Sequence, residues 1–268
     1  MIKILVPLDF SDTSSNALYY AIQLFLGSSV EITLVHVFST NPTIVALKNI
    51  DSFIEQDSKQ MMDELIAKVK KEYPDVILKF KILKEHVVSA ISSLGNSGNY
   101  DFIVMGTQGA TGLKEVFLGS VAGGVISKTS APVIVVPTGY SFSHLDEIVL
   151  ALSDNAISDV TEADPLRIIA RMHKSRIKVL QIEDKKLHDI EKALTIIEDL
   201  NPSVDHIFGT LDVNTDLHDY MIKNDSSLLC LIRGNKGFLD RLLKDSVTLK
   251  QTFESPVPLL ILHDIVPL

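Results

Sequence analysis

The sequence predicts an α/β protein of the doubly wound kind, with the pattern written twice along the chain. Three observations carry this reading. Short runs rich in Val, Ile and Leu alternate with amphipathic stretches, most of those runs are apolar almost throughout, and the same order of elements returns after residue 146. Nearly continuous apolarity marks strands covered on both faces, as in a parallel sheet, and strand–helix alternation is how such sheets are connected.

In the first half the runs are "IKILVPL" (2–8), "VEITLVHV" (30–37), "DVILKFKIL" (75–83), "DFIVMG" (101–106) and "APVIVVP" (131–137). "SDTSSNALYYAIQLFLG" opens on Ser and Asp capping residues, ends at Gly27, and carries Ala17, Ala21 and Leu24 on one helical stripe. "IDSFIEQDSKQMMDELIAKVKKEYP" repeats the pattern with Phe53, Met61, Leu65 and Val69 and stops at Pro74. "SVAGGVISKTS" is the third helix candidate.

After a short polar stretch, "TGYSFSHLDE", the order restarts. "EIVLALSD", "IKVLQI", "VDHIF", "SLLCLI" and "VPLLIL" read as strands. "ADPLRIIARMH", "DKKLHDIEKALTIIEDL" and "NTDLHDYMIKN" read as helices between them. An internal duplication follows, with its boundary at residues 138–146 and domains at 1–140 and 141–268.

Composition narrows the function classes. The chain has 268 residues, 46% hydrophobic and 22% charged, and a formal net charge of -9. Such an acidic balance argues against a nucleic-acid surface, which needs basic patches for phosphates. The halves differ: residues 1–140 carry 11 Lys and no Arg against 13 Asp and Glu, whereas 141–268 carry the remaining 14 basic and 21 acidic residues. The single cysteine, Cys230, sits in an apolar run and reads as a core residue. The amino terminus lacks the pattern of a signal peptide, and no apolar run is long enough to span a membrane. The expectation is a soluble, cytoplasmic protein.

The densest chemical signal is "GTQGATGLKEVFLGS", Gly106–Ser120, which holds four of the thirteen glycines and follows directly on a strand. At the carboxyl end of a parallel strand, glycines allow the backbone to approach a phosphate and turn successive N–H groups toward it. The spacing is Gly106, two residues, Gly109, nine residues, Gly119, then Ser120, which opens the next helix. Free N–H groups, a hydroxyl and the positive end of the helix dipole favour an anion there. The loop is neither a Walker A sequence nor the dinucleotide G-x-G-x-x-G; read blandly, it is a glycine-rich connector. Asp9, at the end of the first strand, could accept hydrogen bonds from an adenine or ribose donor, or cap the following helix as Ser11 or Asp12 could.

"ILVPLDFSD", "LVHV" and "VMGTQGATGLKEVFLGSVAGGVISKTSAPVIVVP" together resemble the universal stress protein family, in its nucleotide-binding branch with the G-x2-G-x9-G-S/T pattern. The resemblance covers residues 1–137. It implies two tandem Rossmann-like (adenine nucleotide alpha hydrolase-like) domains, each a five-stranded parallel sheet of order 3-2-1-4-5, with ATP along the crevice of the first. It places Asp9, with Pro7 and Leu8, at the ribose or base, and the Val37 backbone at adenine. Met105, Gly106 and Gly109 would line the ribose and phosphate path, and Gly119, Ser120, Val121 and Ala122 would hold the phosphates, bridged by Mg²⁺ or Mn²⁺. Two positions depart from the family pattern: Gln108 stands where His is frequent, and Ala122 where a polar residue is frequent.

The second half keeps no such cradle. With Ser246 set against Ser120, Asp245 falls at Gly119, Asn235 at Gly109 and Ile232 at Gly106. Matching Gly234 and Gly237 to Gly109 and Gly112 instead misplaces the serine. Ser153 and Asp154 are equal candidates for the place of Asp9. This half is expected to act as a structural or regulatory partner in an intramolecular pseudo-dimer, with "PVIVVP" and "VPLLIL" meeting at the interface, and a homodimer of the whole chain is a further expectation.

No zinc-type His spacing and no G-x-S-x-G elbow occur among the eight histidines and the serines. His36 reads as a satisfied core histidine. The function expected is a nucleotide-responsive stress or signalling module that binds ATP. The alternatives are a slow Mg-dependent ATPase at the same site and a scaffold for another small molecule or partner.

Overall fold

The computed structural model describes residues 1–39, 50–107, 119–152, 157, 159–183, 190–208, 213–233 and 255–263. The first half contains β1 (Ile2–Leu8), α1 (Asp12–Leu24), β2 (Val30–Phe38), α2 (Ile50–Glu72), β3 (Ile77–Lys84), α3 (Val87–Gly95), β4 (Phe102–Gly106), α4 (Ser120–Lys128) and β5 (Val133–Val136). The second contains β6 (Glu147–Leu152), α5 (Asp164–His173), β7 (Arg176–Glu183), α6 (Glu191–Ile196), β8 (Ser203–Phe208), α7 (Val213–Lys223), β9 (Leu228–Arg233) and β10 (Leu259–His263), with 3-10 turns at Val160–Ala163 and Glu198–Leu200.

All ten strands form one sheet, ordered β3-β2-β1-β4-β5-β10-β9-β6-β7-β8. Each half is therefore a parallel five-stranded sheet of order 3-2-1-4-5, and the halves join where β5 pairs antiparallel with β10. Helices cover both faces. The apolar residues Ile4, Val6, Phe102 and Val104 belong to the core under α1, α2, α5 and α6 on one face; Leu5, Ile103, Met105 and Leu229 belong to the core under α3, α4 and α7 on the other. Val133–Val136 of β5 and Leu259–His263 of β10 are buried throughout, so the joint lies inside the continuous sheet and leaves no apolar edge at this place.

The structure corrects the phase expected for α2. Met62 and Val69 are fully buried with Ser58, whereas Phe53 is 71% exposed and Met61 39%. A stride of four residues gains about 40° per step, so Phe53 lies about 160° round the helix from Val69. The stripe that faces the sheet is Ile54, Ser58, Met62, Leu65 and Val69, and the serine in its middle hides it from an apolar count. The helix α3 has no counterpart in the sequence reading. Its valines and serines are weak helix formers, and burial of Ala90 and Ile91 supplies what propensity does not. The helix expected over 184–200 is observed as Glu191–Ile196 and a following 3-10 turn, with 184–189 outside the described residues.

The strand registers also align the two halves. Ile103 lies opposite Val133 and Leu229 opposite Leu259, the same spacing of 30 residues. Ile232, 3% exposed, thus occupies in β9 the place that Gly106 holds in β4.

His263 ends β10 beside Arg233, is 8% exposed, and its Nε2 has no hydrogen-bond partner among the described residues. Burial, with the Arg233 guanidinium second, holds its imidazole down to about 4. The folded protein therefore binds fewer protons here than the unfolded chain, whose histidines titrate near about 6.5. This contribution to stability is complete above that value and is lost as pH falls toward 4. His263→Leu should be at least as stable as the wild type at pH 7, because a buried unpaired polar atom is removed. Denaturant titrations between pH 4 and 7 should show a flatter pH dependence in the variant.

Candidate functional site

The first-half sheet reverses its order between β1 and β4, which pair directly, and the crevice outside strand carboxyl ends at such a point is the usual ligand position. Ile4 lies opposite Phe102; counted on from this register, Leu8 is level with Gly106 and Asp9 with Thr107. The structure thus brings Asp9, Gly106 and, from β2, Val37 to one end of the sheet. Val37 stands one residue past His36, the last residue of β2 that pairs with β1.

The turn from β1 into α1 is ordered by a chain of polar contacts. Asp9 is exposed, and its Oδ1 accepts from the Ser11 N–H (3.1 Å) and the Ser11 hydroxyl (2.6 Å). Ser11 is the residue that caps α1, accepting from the Ser14 N–H at 3.2 Å. Asp9 therefore orders the capping residue and is not itself the cap. Between them Phe10 takes φ 62, a left-handed conformation uncommon outside glycine, and its ring centroid lies 4.7 Å from that of His36. His36 is half-buried, and its Nδ1–H donates to the Leu8 carbonyl at 2.8 Å. The histidine is satisfied as expected, but it stands half-buried at the strand end beside the crevice and not in the core. Sequence reasoning did not single out Phe10, since no sequence signal marks a left-handed phenylalanine.

The other side of the crevice is the amino end of α4. Gly119 is the N-cap, with φ -56 and ψ 154, and has no side chain to satisfy the helix N–H groups. Its own N–H donates to the Thr107 carbonyl at 2.6 Å, and the Thr107 N–H to the Val136 carbonyl at 3.1 Å. The glycine loop, residues 108–118, which contains Gly109, lies outside the described residues. The first intrahelical bond closes from Gly123 N–H to the Gly119 carbonyl. The N–H groups of Ser120, Val121 and Ala122 are thus the first three of the helix, without partners inside it, and Ser120 is exposed.

The side chains of Leu8, Met105 and Ala122 are core, at 4%, 4% and 1% exposure, so only their backbones can line a ligand path. Pro7 and Val121 are half-buried. Gly106 serves the fold itself: a Cβ here would come within 2.6 Å of Thr13 Cγ2 and 3.1 Å of the Thr13 carbonyl oxygen. The absent side chain lets α1 sit close against β4. Gly106→Ala should cost roughly 2 kcal/mol by overpacking, read as a fall in the unfolding midpoint. Thr13→Ser, which lacks the clashing methyl, should recover part of the loss in the double mutant.

Two doubly wound halves sharing one sheet, with an open helix end at the switch point of the first, place the chain among the Rossmann-like α/β proteins. The universal stress protein family model matches residues 1–137, about half of the chain, and the protein belongs to that family. Universal stress protein MJ0577 of Methanocaldococcus jannaschii is 34% identical over 155 residues, covering 50% of this chain and 93% of that protein. Universal stress protein YxiE of Bacillus subtilis is 28% identical over 147 residues, covering 50% and 97%. A universal stress protein from Archaeoglobus fulgidus matches in structure with a TM-score of 0.68 at 20% identity, over 98% of this chain and 96% of its own; this likeness is one of fold. Among the described residues no helix is long and apolar enough to cross a membrane.

Proposed function

We propose that the first half, taken as residues 1–140, binds ATP, and that the protein acts as a nucleotide-responsive stress or signalling module. The observation that carries this reading is the amino end of α4, where a glycine N-cap supplies no side-chain acceptor for the N–H groups of Ser120, Val121 and Ala122. An anionic oxygen supplies what the cap lacks, and the helix dipole favours it. The phosphates sit on these three N–H groups and the Ser120 hydroxyl, with Gly119 and Gly109 giving room. The Gly119 N–H is already bonded to the Thr107 carbonyl, so it is not one of the phosphate donors. Asp9, Pro7 and Leu8 face the ribose or base and the Val37 backbone the adenine, with Met105 and Gly106 between. A divalent ion, Mg²⁺ or Mn²⁺, would enter with the nucleotide and would neutralise charge on its phosphates.

Binding is favoured over rapid turnover because the first half contains no arginine to compensate charge on a transferring phosphoryl group. Residues 141–268 form the partner domain of an intramolecular pseudo-dimer, in which Ile232 stands where the first half has Gly106. Calorimetric titration of Mg-ATP into the nucleotide-free protein tests the reading. One saturable site per chain is expected, and absence of heat and of any thermal shift would overturn it.

A further inference from the structure

We infer that His173 and Arg233, both in the second half, are positioning residues for the nucleotide site of the first, so that the second half sets the affinity of a site it does not line. This rests on the ATP reading above. The two helices whose amino ends reach the crevice are α1, which begins after Asp9 and Ser11, and α4, which begins at Ser120. Each is held near its opposite end by a nitrogen donor from the second half. The His173 Nε2–H donates to the carbonyl of Leu24, the last residue of α1, at 2.8 Å. Arg233 Nη1 donates to the carbonyl of Ile126, in the last turn of α4, at 2.7 Å.

The antiparallel joint explains why such reach is possible. With Leu259 opposite Val135 and Ile261 opposite Val133, the carboxyl end of β10 lies at the amino end of β5. Arg233, opposite His263 at the end of β9, arrives where α4 finishes before β5 begins. On the other face, His173 at the end of α5 reaches α1 beside an aromatic cluster, with Phe142 5.8 Å from His173 and 5.6 Å from Tyr20 of α1.

These carbonyls are among those a helix leaves unsatisfied at its carboxyl end, and α1 has no basic residue of its own in that turn. The two donors satisfy them, and Arg233 adds a cation at the negative end of the α4 dipole. At 1.5 Å per residue α1 is roughly 20 Å long and α4 roughly 13 Å. Rods this short move as units, so fixing one end fixes the N–H groups at the other. A phosphate site tolerates little displacement, because its hydrogen bonds depend steeply on distance and angle.

The test compares Mg-ATP affinity and thermal midpoint in the full chain. Wild type is titrated first: if it binds no Mg-ATP, the ATP reading itself has failed. Given binding, Arg233→Ala and His173→Ala should each weaken affinity about five- to tenfold, in the range of ordinary coupling between sites. Arg233→Lys and His173→Gln, which keep a donor, should recover most of it. Arg171→Ala is the control, since Arg171 on the same helix as His173 bonds Asp199 within the second half; it should leave affinity unchanged. Folded alanine variants with wild-type affinity and lowered midpoints would overturn the proposal. Should an alanine variant fail to fold, amide exchange of the wild type decides. Saturating Mg-ATP should slow exchange in the last turns of α1 and α4 and across α5 and β9, and protection confined to the first half would overturn the proposal.

Discussion

Gly119→Asp should raise the stability of the nucleotide-free protein while nearly abolishing its affinity for Mg-ATP. Aspartate is among the best N-cap residues, and Gly119 already has the extended ψ of a cap. Its carboxylate would accept from the N–H groups of Val121 or Ala122 and meet the positive end of the helix dipole, stabilising by a few tenths to about 1 kcal/mol. The same carboxylate takes the donors intended for phosphate and repels the anion. A loss of about 100-fold in affinity is expected, or ~2.7 kcal/mol. The capping gain in stability is expected whatever the loop does, so the loss of affinity is what separates this account from one in which the loop is only a connector, for which the variant would gain stability with its affinity unchanged. One sequence register of the second half carries that substitution, with Asp245 at the position of Gly119.

Arg167→Ala is expected to cost on the order of 3 kcal/mol of stability, with a lower midpoint in denaturant and an unchanged slope. The arginine is 7% exposed on α5 and satisfies partners from four places. Its Nε lies 3.1 Å from both carboxylate oxygens of Asp199, Nη1 donates to the Val160 carbonyl (2.6 Å) and Asp164 (3.0 Å), and Nη2 donates to the Ile196 carbonyl. One side chain thus ties α5 to the 3-10 turns on both sides of it. Removal leaves the Val160 and Ile196 carbonyls and the Asp164 carboxylate without this donor and leaves Asp199 its bond from Arg171; Arg167→Lys should recover only part, since an ammonium cannot reach all of these in one plane. All of these contacts stay within the second half, so Mg-ATP affinity should change far less than stability does.

Much of the fold was legible because strands buried on both faces leave runs such as "IKILVPL" and "EIVLAL" that little else produces. The strand ends expected from these runs fall within two residues of those observed, as for Ile77–Lys84 against 75–83. Legibility failed where packing overrides local pattern. The helix Val87–Gly95 is held by the sheet rather than by its own propensities, and the inward stripe of α2 passes through Ser58.

At the site, the glycine spacing points correctly to an exposed helix end at Ser120, yet it says nothing of what each glycine does. Gly106 is required by Thr13 of α1, a contact 93 residues away in sequence. Phe10 and His36 meet only once β1 and β2 are paired. The reach of Arg233 to Ile126 depends on which way β10 lies against β5, a choice that no local pattern encodes.

The Gly119–Ala122 turn, proposed above as a phosphate cradle, can be tested on the protein as purified. The most direct measurement is to denature the purified protein, separate any released nucleotide by chromatography, and treat Gly119→Val identically. Near-stoichiometric ATP from the wild type and none from a folded variant is the predicted result. A wild type that releases no nucleotide, and whose midpoint does not move when Mg-ATP is added, would contradict it.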